Sequence, residues 1–361
     1  MTRREAFHAI MAGERPPILC QFEWGYWPET IVRWRQEGLP KSVEPWDDCG
    51  IIHYIRPPIQ RSVWPPFEVE VIEDDGDTLV LRDETGIVRR ESKYLSRLPQ
   101  FLKFPVATRS DFEALKERLD PQTPGRYPED WNTWVEEARK SPHLVCIGRR
   151  ENGFFGWLRE LMGLEGLLLA YVDEPELIHS ICRYHVTFLK GLYERALREA
   201  PLDFVFMWED MAYKTGPLIS PEFFRTFMLP YYREMVDFYR QMGARWIVVD
   251  SDGDITQLIP LFVEAGVDGL LPFEVAAGSD VLAVREAFPR LRIIGGIDKR
   301  ALAQGPEYID RELEGRLPAM LRAGRYLPTL DHHVQPEVSY DNFRYYLRRC
   351  RDLYGAFLTG A

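Results

Sequence analysis

Five short apolar runs in this chain each end on groups that can titrate or bind a cation. Phe204–Trp208 runs into Glu209 and Asp210, and Trp246–Val249 into Asp250, Ser251 and Asp252. Gly269–Pro272 is followed by Phe273 and Glu274, and Arg292–Gly296 by Ile297, Asp298 and Lys299. Arg325–Leu330 ends on Asp331, His332 and His333. That many carboxylates in one cleft would repel one another and raise their pKa values unless a cation sat among them. Carboxylates with imidazole are a donor set for a divalent ion, although the spacing by itself matches no metal-site pattern. Without a metal, His332 and an acid such as Asp252 form a proton donor and acceptor. The plain alternative is that the acids pair with nearby arginines and lysines, or cap the helices that follow them.

The elements needed to bring such distant residues together are legible in the same runs. Ile247-Val248-Val249 is apolar and β-branched throughout, the pattern of a parallel strand buried on both faces. Strand and helix patterns alternate from Leu144 onward, with further strands expected at Ile18–Phe22 and Leu144–Gly148. That rhythm predicts an α/β fold, a single (β/α)8 TIM barrel over residues 1–361, whose strand carboxyl ends gather the site. Thr2 is the expected N-cap of a helix to Ala12, and Ser220 with Pro221 opens another. Asp254 is read either as part of the acidic cluster at the mouth or as the cap of a helix starting at Ile255. Between about Phe67 and Ser92 the period changes to two, with Asp-Gly turns, which predicts an inserted antiparallel β-meander.

Composition narrows the function. A net charge of −11 argues against nucleic acid or an anionic membrane surface as partner. Five cysteines without CxxC spacing point to a reducing compartment, and no run is apolar enough to span a bilayer. A soluble, cytoplasmic protein acting on a small molecule is expected, with a homodimer as one possible assembly. Glu23-Trp24-Gly25-Tyr26-Trp27 follows the first expected strand, so Trp24, Tyr26 and Trp27 are read as a pocket wall for a flat or apolar ligand, with plain core packing as the alternative. Arg149 lies just past Leu144–Gly148, where it can clamp an anion. Asp210, Glu274, Lys299 and His333 complete the substrate-facing set, while Asp252, His332 and Glu209 are the catalytic candidates. His53, His179 and His185 are read as structural.

Several of these segments resemble the uroporphyrinogen decarboxylase superfamily. They are Trp208-Glu209-Asp210-Met211, Gly216-Pro217-Leu218-Ile219-Ser220-Pro221-Glu222, Asp250-Ser251-Asp252-Gly253-Asp254, Ile294-Gly295-Gly296-Ile297-Asp298 and His332-His333-Val334-Gln335-Pro336. The resemblance implies a (β/α)8 barrel and an enzyme, either a decarboxylase or a zinc methyltransferase working with a corrinoid. The decarboxylase motif that carries two arginines appears here as Gln21-Phe22-Glu23-Trp24-Gly25-Tyr26, with Gln21 and Gly25 in their places. Where the methyltransferases carry a His-x-Cys pair and a later Cys as zinc ligands, this chain has Asp250, Asp252 and His332, so the resemblance implies these three as metal ligands, with Glu209 or Glu274 completing the shell. The expectation that follows is a metal-dependent methyltransferase with a divalent cation, zinc or another, and a free or protein-bound corrinoid. A metal-free carboxy-lyase acting on a small carboxylated compound is the alternative, and a non-catalytic binding barrel a third.

Overall fold

The computed structural model describes residues 1–94 and 99–360. Its centre is a curled, all-parallel sheet of seven strands in sequence order. These are β1 (Tyr54–Ile55), β2 (Leu144–Ile147), β3 (Phe204–Trp208), β4 (Ile247–Asp250), β5 (Gly269–Leu271), β6 (Arg292–Ile294) and β7 (Tyr326–Leu327). Side chains of a strand alternate between faces, and two apolar layers result. Phe204, Phe206, Trp246 and Val248 meet Phe22, Trp24, Cys146 and Leu271 inside the curve. Val205, Met207, Ile247 and Val249 pack outward among the helices.

The register of β3 and β4 sets the geometry of the site. Ile247 lies opposite Val205 and Asp250 opposite Trp208, so both strands end level. The Glu209 amide then donates to the Asp250 carbonyl at 2.8 Å. The helix Arg3–Ala12 begins with the expected Thr2 cap, completed by Glu5 reaching back to the Thr2 amide. It buries Ala6, Phe7, Ile10 and Met11 against the inner layer. Arg4 bonds Asp203, just before β3, at 2.8 Å, so this helix closes the amino end of the sheet and leaves the carboxyl end open.

The structure departs from the sequence reading in four places. Ile18–Phe22 forms no regular strand; only Phe22 bridges to Ile52, in parallel. The strand β1 itself was missed, because Ile51–Ile55 is short and carries His53. The inserted meander has a fourth strand beyond Ser92: Glu70–Asp74, Thr78–Arg82, Val88–Ser92 and Gln100–Lys103 pair antiparallel in that order. Asp254 accepts from the Thr256 amide in a turn, and the helix after β4 starts at Ile259. Polar side chains also tie the beginning of the chain to its end. The buried Glu23 carboxylate accepts from the Thr329 hydroxyl at 2.7 Å, the Leu330 amide at 3.1 Å and the Tyr346 hydroxyl at 2.8 Å. Tyr26 and Val334 add a parallel bridge beside it.

Glycine is required where β6 ends. Gly295 has φ +118°, and a Cβ there would sit 1.9 Å from the Pro272 carbonyl oxygen. Backbone cannot yield as a side chain does, so Gly295→Ala is expected to destabilise the protein by more than about 2 kcal/mol. Urea denaturation of the purified variant checks this, and an unchanged midpoint would count against the packing described.

Candidate active site

At the open end, the loops after β4 and β7 bring Asp252 and His332 together. His332 Nε2 lies 3.4 Å from Asp252 Oδ2, and both side chains keep about a third of their surface exposed (29% and 34%). The Asp252 carboxylate, by accepting from the ring, holds the His332 pKa above its ordinary value against the opposing effect of burial. His332 is therefore biased toward the imidazolium, which donates a proton. Trp27 stacks over it, with ring centres 6.3 Å apart and planes 17° from parallel, and is edge-on to His333 at 6.2 Å.

Behind this pair lies a salt-bridged layer. The buried Lys299 ammonium is 3.2 Å from Glu274 Oε1 and 3.4 Å from Asp331 Oδ1. Asp331 is fully buried and ties two loops: it accepts from the Val275 amide at 2.9 Å and the Lys299 amide at 3.0 Å. Burial pushes its carboxyl pKa up while Lys299 pulls it down. Glu274 Oε2 in turn accepts from the Gly253 amide at 3.3 Å, next to Asp252. These contacts fix the backbone that carries both members of the Asp252–His332 pair.

Asp250 stands at the tip of β4. Burial, then the nearby Asp252 and Asp210 carboxylates, raise its pKa well above the usual range, with Arg56 opposing. Asp210 has φ +46° and is clamped by Arg159, through Oδ2 and its carbonyl, both at 2.8 Å. Arg149 is exposed, and its guanidinium makes no hydrogen bond or ion pair among the described residues, whereas Arg150 reaches Glu160 at 3.3 Å.

Three placements differ from the sequence reading. Glu209 does not face the mouth: it is fully buried, accepts from the Phe154 and Gly156 amides at 2.8 Å each, and receives the Tyr232 hydroxyl. It anchors the loop after β2. Tyr26 packs among Trp34, Trp46 and Phe343 rather than lining the mouth, and Trp24 lies in the inner layer against Phe22 and Phe206. Of the three aromatics, Trp27 alone reaches the Asp252–His332 pair. Asp250, Asp252 and His332 do not converge as a ligand set. Among the described residues, no three His, Cys, Asp or Glu side chains come together in a way that holds a metal ion. The donors present do not fit the expected cation, so no chemical step is derived through one. The histidines read as structural lie among aromatic side chains: His185 stacks on Trp157 at 3.7 Å and bonds the Gly153 carbonyl, His179 bonds the Tyr231 hydroxyl at 2.8 Å, and His53 stacks on Trp46 at 4.2 Å.

The sequence reading also missed Arg56, the residue immediately after β1. Its Nε donates to the Gly148 carbonyl at 3.1 Å and Nη2 to the Tyr54 hydroxyl at 3.2 Å. The signal was present, a cation following an apolar run, but that run was not read as a strand.

A parallel sheet with a polar, partly titrating mouth at its carboxyl end defines the class. The family model for uroporphyrinogen decarboxylase (URO-D) matches residues 145–353, more than half of the chain. The chain belongs to that family. Among solved structures it is similar to a methyltransferase from Methanosarcina mazei, at 15% identity with a TM-score of 0.61, covering 98% of this chain and 99% of that one. At such identity the likeness speaks for the fold alone. A protein described as a vitamin-B12-independent methionine synthase from Listeria monocytogenes is more distant, at 11% identity, 93% and 99% coverage and a TM-score of 0.38. A search of curated proteins gave no significant match. No helix among the described residues is long and apolar enough to cross a membrane.

Proposed function

We propose that this protein is an enzyme that transfers a proton at the carboxyl end of a (β/α)8 barrel, in a carboxy-lyase reaction on a small carboxylated substrate. The Phe22 and Tyr26 bridges are then the remnant of the eighth strand, which closes the curled sheet. The observation that carries the reading is the Asp252–His332 pair, solvent-accessible at the mouth and biased toward a protonated imidazole. Decarboxylation breaks the bond between a carbon and its carboxylate and leaves an electron pair on that carbon. An imidazolium within reach supplies the proton, giving R–H and CO2, and Asp252 stabilises the charged ring until transfer. Trp27 lies over one face of the His332 ring.

The test is a screen of small aromatic and aliphatic carboxylic acids, followed as CO2 release and as deuterium incorporated from D2O into the product. Deuterium at the former carboxyl carbon supports the reading. CO2 release that persists undiminished in His332→Gln would end it.

Methyl transfer with a corrinoid is the second reading. It draws on Trp27, which is 43% exposed and presents a flat apolar face beside His332 to an incoming macrocycle or its carrier protein. Incubation with methylcobalamin, followed by its visible spectrum, distinguishes this from carboxyl loss. Metal analysis of the purified protein bears on the divalent cation separately. Failure of both assays would favour a binding barrel.

Uroporphyrinogen itself is expected not to be turned over. Gln21, in place of an arginine, donates to the Leu347 carbonyl and accepts from Arg351. Gly25, in place of the other, lies against His333. Each missing charge-assisted contact to a carboxylate forfeits about 1.5–3 kcal/mol. Chromatography for coproporphyrin after incubation with uroporphyrinogen checks this, and robust conversion would refute it.

A further inference from the structure

A buried cation is ordinarily met by an anion, because an unpaired charge away from water is unfavourable. Arg56 breaks that rule. It is partly buried between strand ends, yet has no carboxylate within ion-pair distance among the described residues. Its guanidinium lies over two aromatic rings, 4.6 Å from the centre of Tyr54 and 5.8 Å from that of Phe206. The carbonyl it bonds belongs to Gly148, and the next residue is Arg149, the exposed and unpaired guanidinium at the mouth. Two guanidinium groups with no carboxylate within ion-pair distance among the described residues thus stand on neighbouring strand ends, with Asp250 and Glu151 acting on Arg56 only from further off. Trp24 packs on the same two rings, 6.3 Å from Tyr54 and 6.0 Å from Phe206, and its buried Nε1–H has no partner.

We infer that Arg56, Arg149 and the Trp24 indole N–H form a subsite for one carboxylate of the substrate. The planar guanidinium matches two carboxylate oxygens, and the aromatic rings beneath hold it in place. A singly charged group is favoured over phosphate because Asp250, Asp252 and Asp210 line the same mouth, and a dianion would face more repulsion. The inference deepens the function proposed above and rests on its placing the active site at this mouth. It adds that the substrate carries an anchoring carboxylate, distinct from the group that reacts at His332.

The subsite is tested without turnover, using benzoate, benzamide and inorganic phosphate as probes in thermal-shift and calorimetric titrations of the whole protein. Benzoate is expected to bind and raise Tm, while isosteric benzamide does not. Arg149→Gln is expected to weaken benzoate at least tenfold, and Arg56→Gln more. Should Arg56→Gln fail to fold, Arg56→Lys and Trp24→Phe serve instead, each weakening benzoate severalfold. Equal response to benzoate and benzamide overturns the inference, as does benzoate binding unaffected by Arg149→Gln. Tighter binding of phosphate than of benzoate overturns its carboxylate assignment. The two readings fail separately: selective benzoate binding with no CO2 release removes the reaction but keeps the subsite. CO2 release with unselective probe binding does the reverse.

Discussion

Replacing His332 by glutamine is expected to lower the turnover of an accepted substrate by about 10²–10⁴-fold, the usual worth of a positioned proton donor. KM should change far less, because the ring acts on the proton being moved rather than on anchoring the substrate. Asp252→Asn should also lower turnover, and it carries a sharper signature. Asp252 accepts from the ring and is the largest cause of the raised His332 pKa. If the imidazolium is the donor, activity is lost as pH rises through that pKa. Removing the acceptor lowers the pKa, so in Asp252→Asn the descending limb of the pH–rate profile must move to lower pH. NMR titration of His332 should report the same displacement with no substrate present. A limb that stays in place in both measurements would show that the pair does not act as a unit.

The largest expected effect on stability concerns two carboxyls that titrate inside the protein. Burial pushes the pKa of Glu23 up to about 7 and that of Glu209 up to about 7, although both accept hydrogen bonds that pull the other way. An acid with a raised folded pKa binds its proton more tightly folded than unfolded. Its contribution to stability is fully present below the ordinary carboxyl value of 4.5 and is lost as pH rises through about 7. Each carboxyl is worth on the order of 3 kcal/mol over that window, and the buried Asp331 acts in the same direction. Urea midpoints measured between pH 5 and pH 8 should therefore fall. Glu23→Gln and Glu209→Gln should each start lower at pH 5, since an amide nitrogen faces hydrogen-bond donors in both places. Each should nonetheless show a smaller fall with pH. A slope unchanged in both variants would mean that neither group titrates in the window.

The sequence alone determined the parallel sheet, and with it which loops would carry the site. Runs such as Ile247-Val248-Val249 can be buried on two faces only in a sheet flanked by helices, so the acids that follow them had to lie at strand ends. This local signal sufficed for the strands from Leu144 onward, for the Thr2 and Ser220 caps and for most of the meander. It failed for Tyr54–Ile55, where pairing with Leu144–Val145 makes a strand of two residues that no periodicity could reveal. The choice among the strand-end residues was a matter for tertiary structure. Glu209 and Asp252 look equivalent in sequence, each an acid just past an apolar run. The approach of the Phe154 and Gly156 amides turns Glu209 inward, whereas Asp252 stays at the mouth because the loop after β7 presents His332 there. Arg56 shows the same limit from the other side. A charge becomes conspicuous only when the fold has taken away part of its water and placed no carboxylate within ion-pair distance.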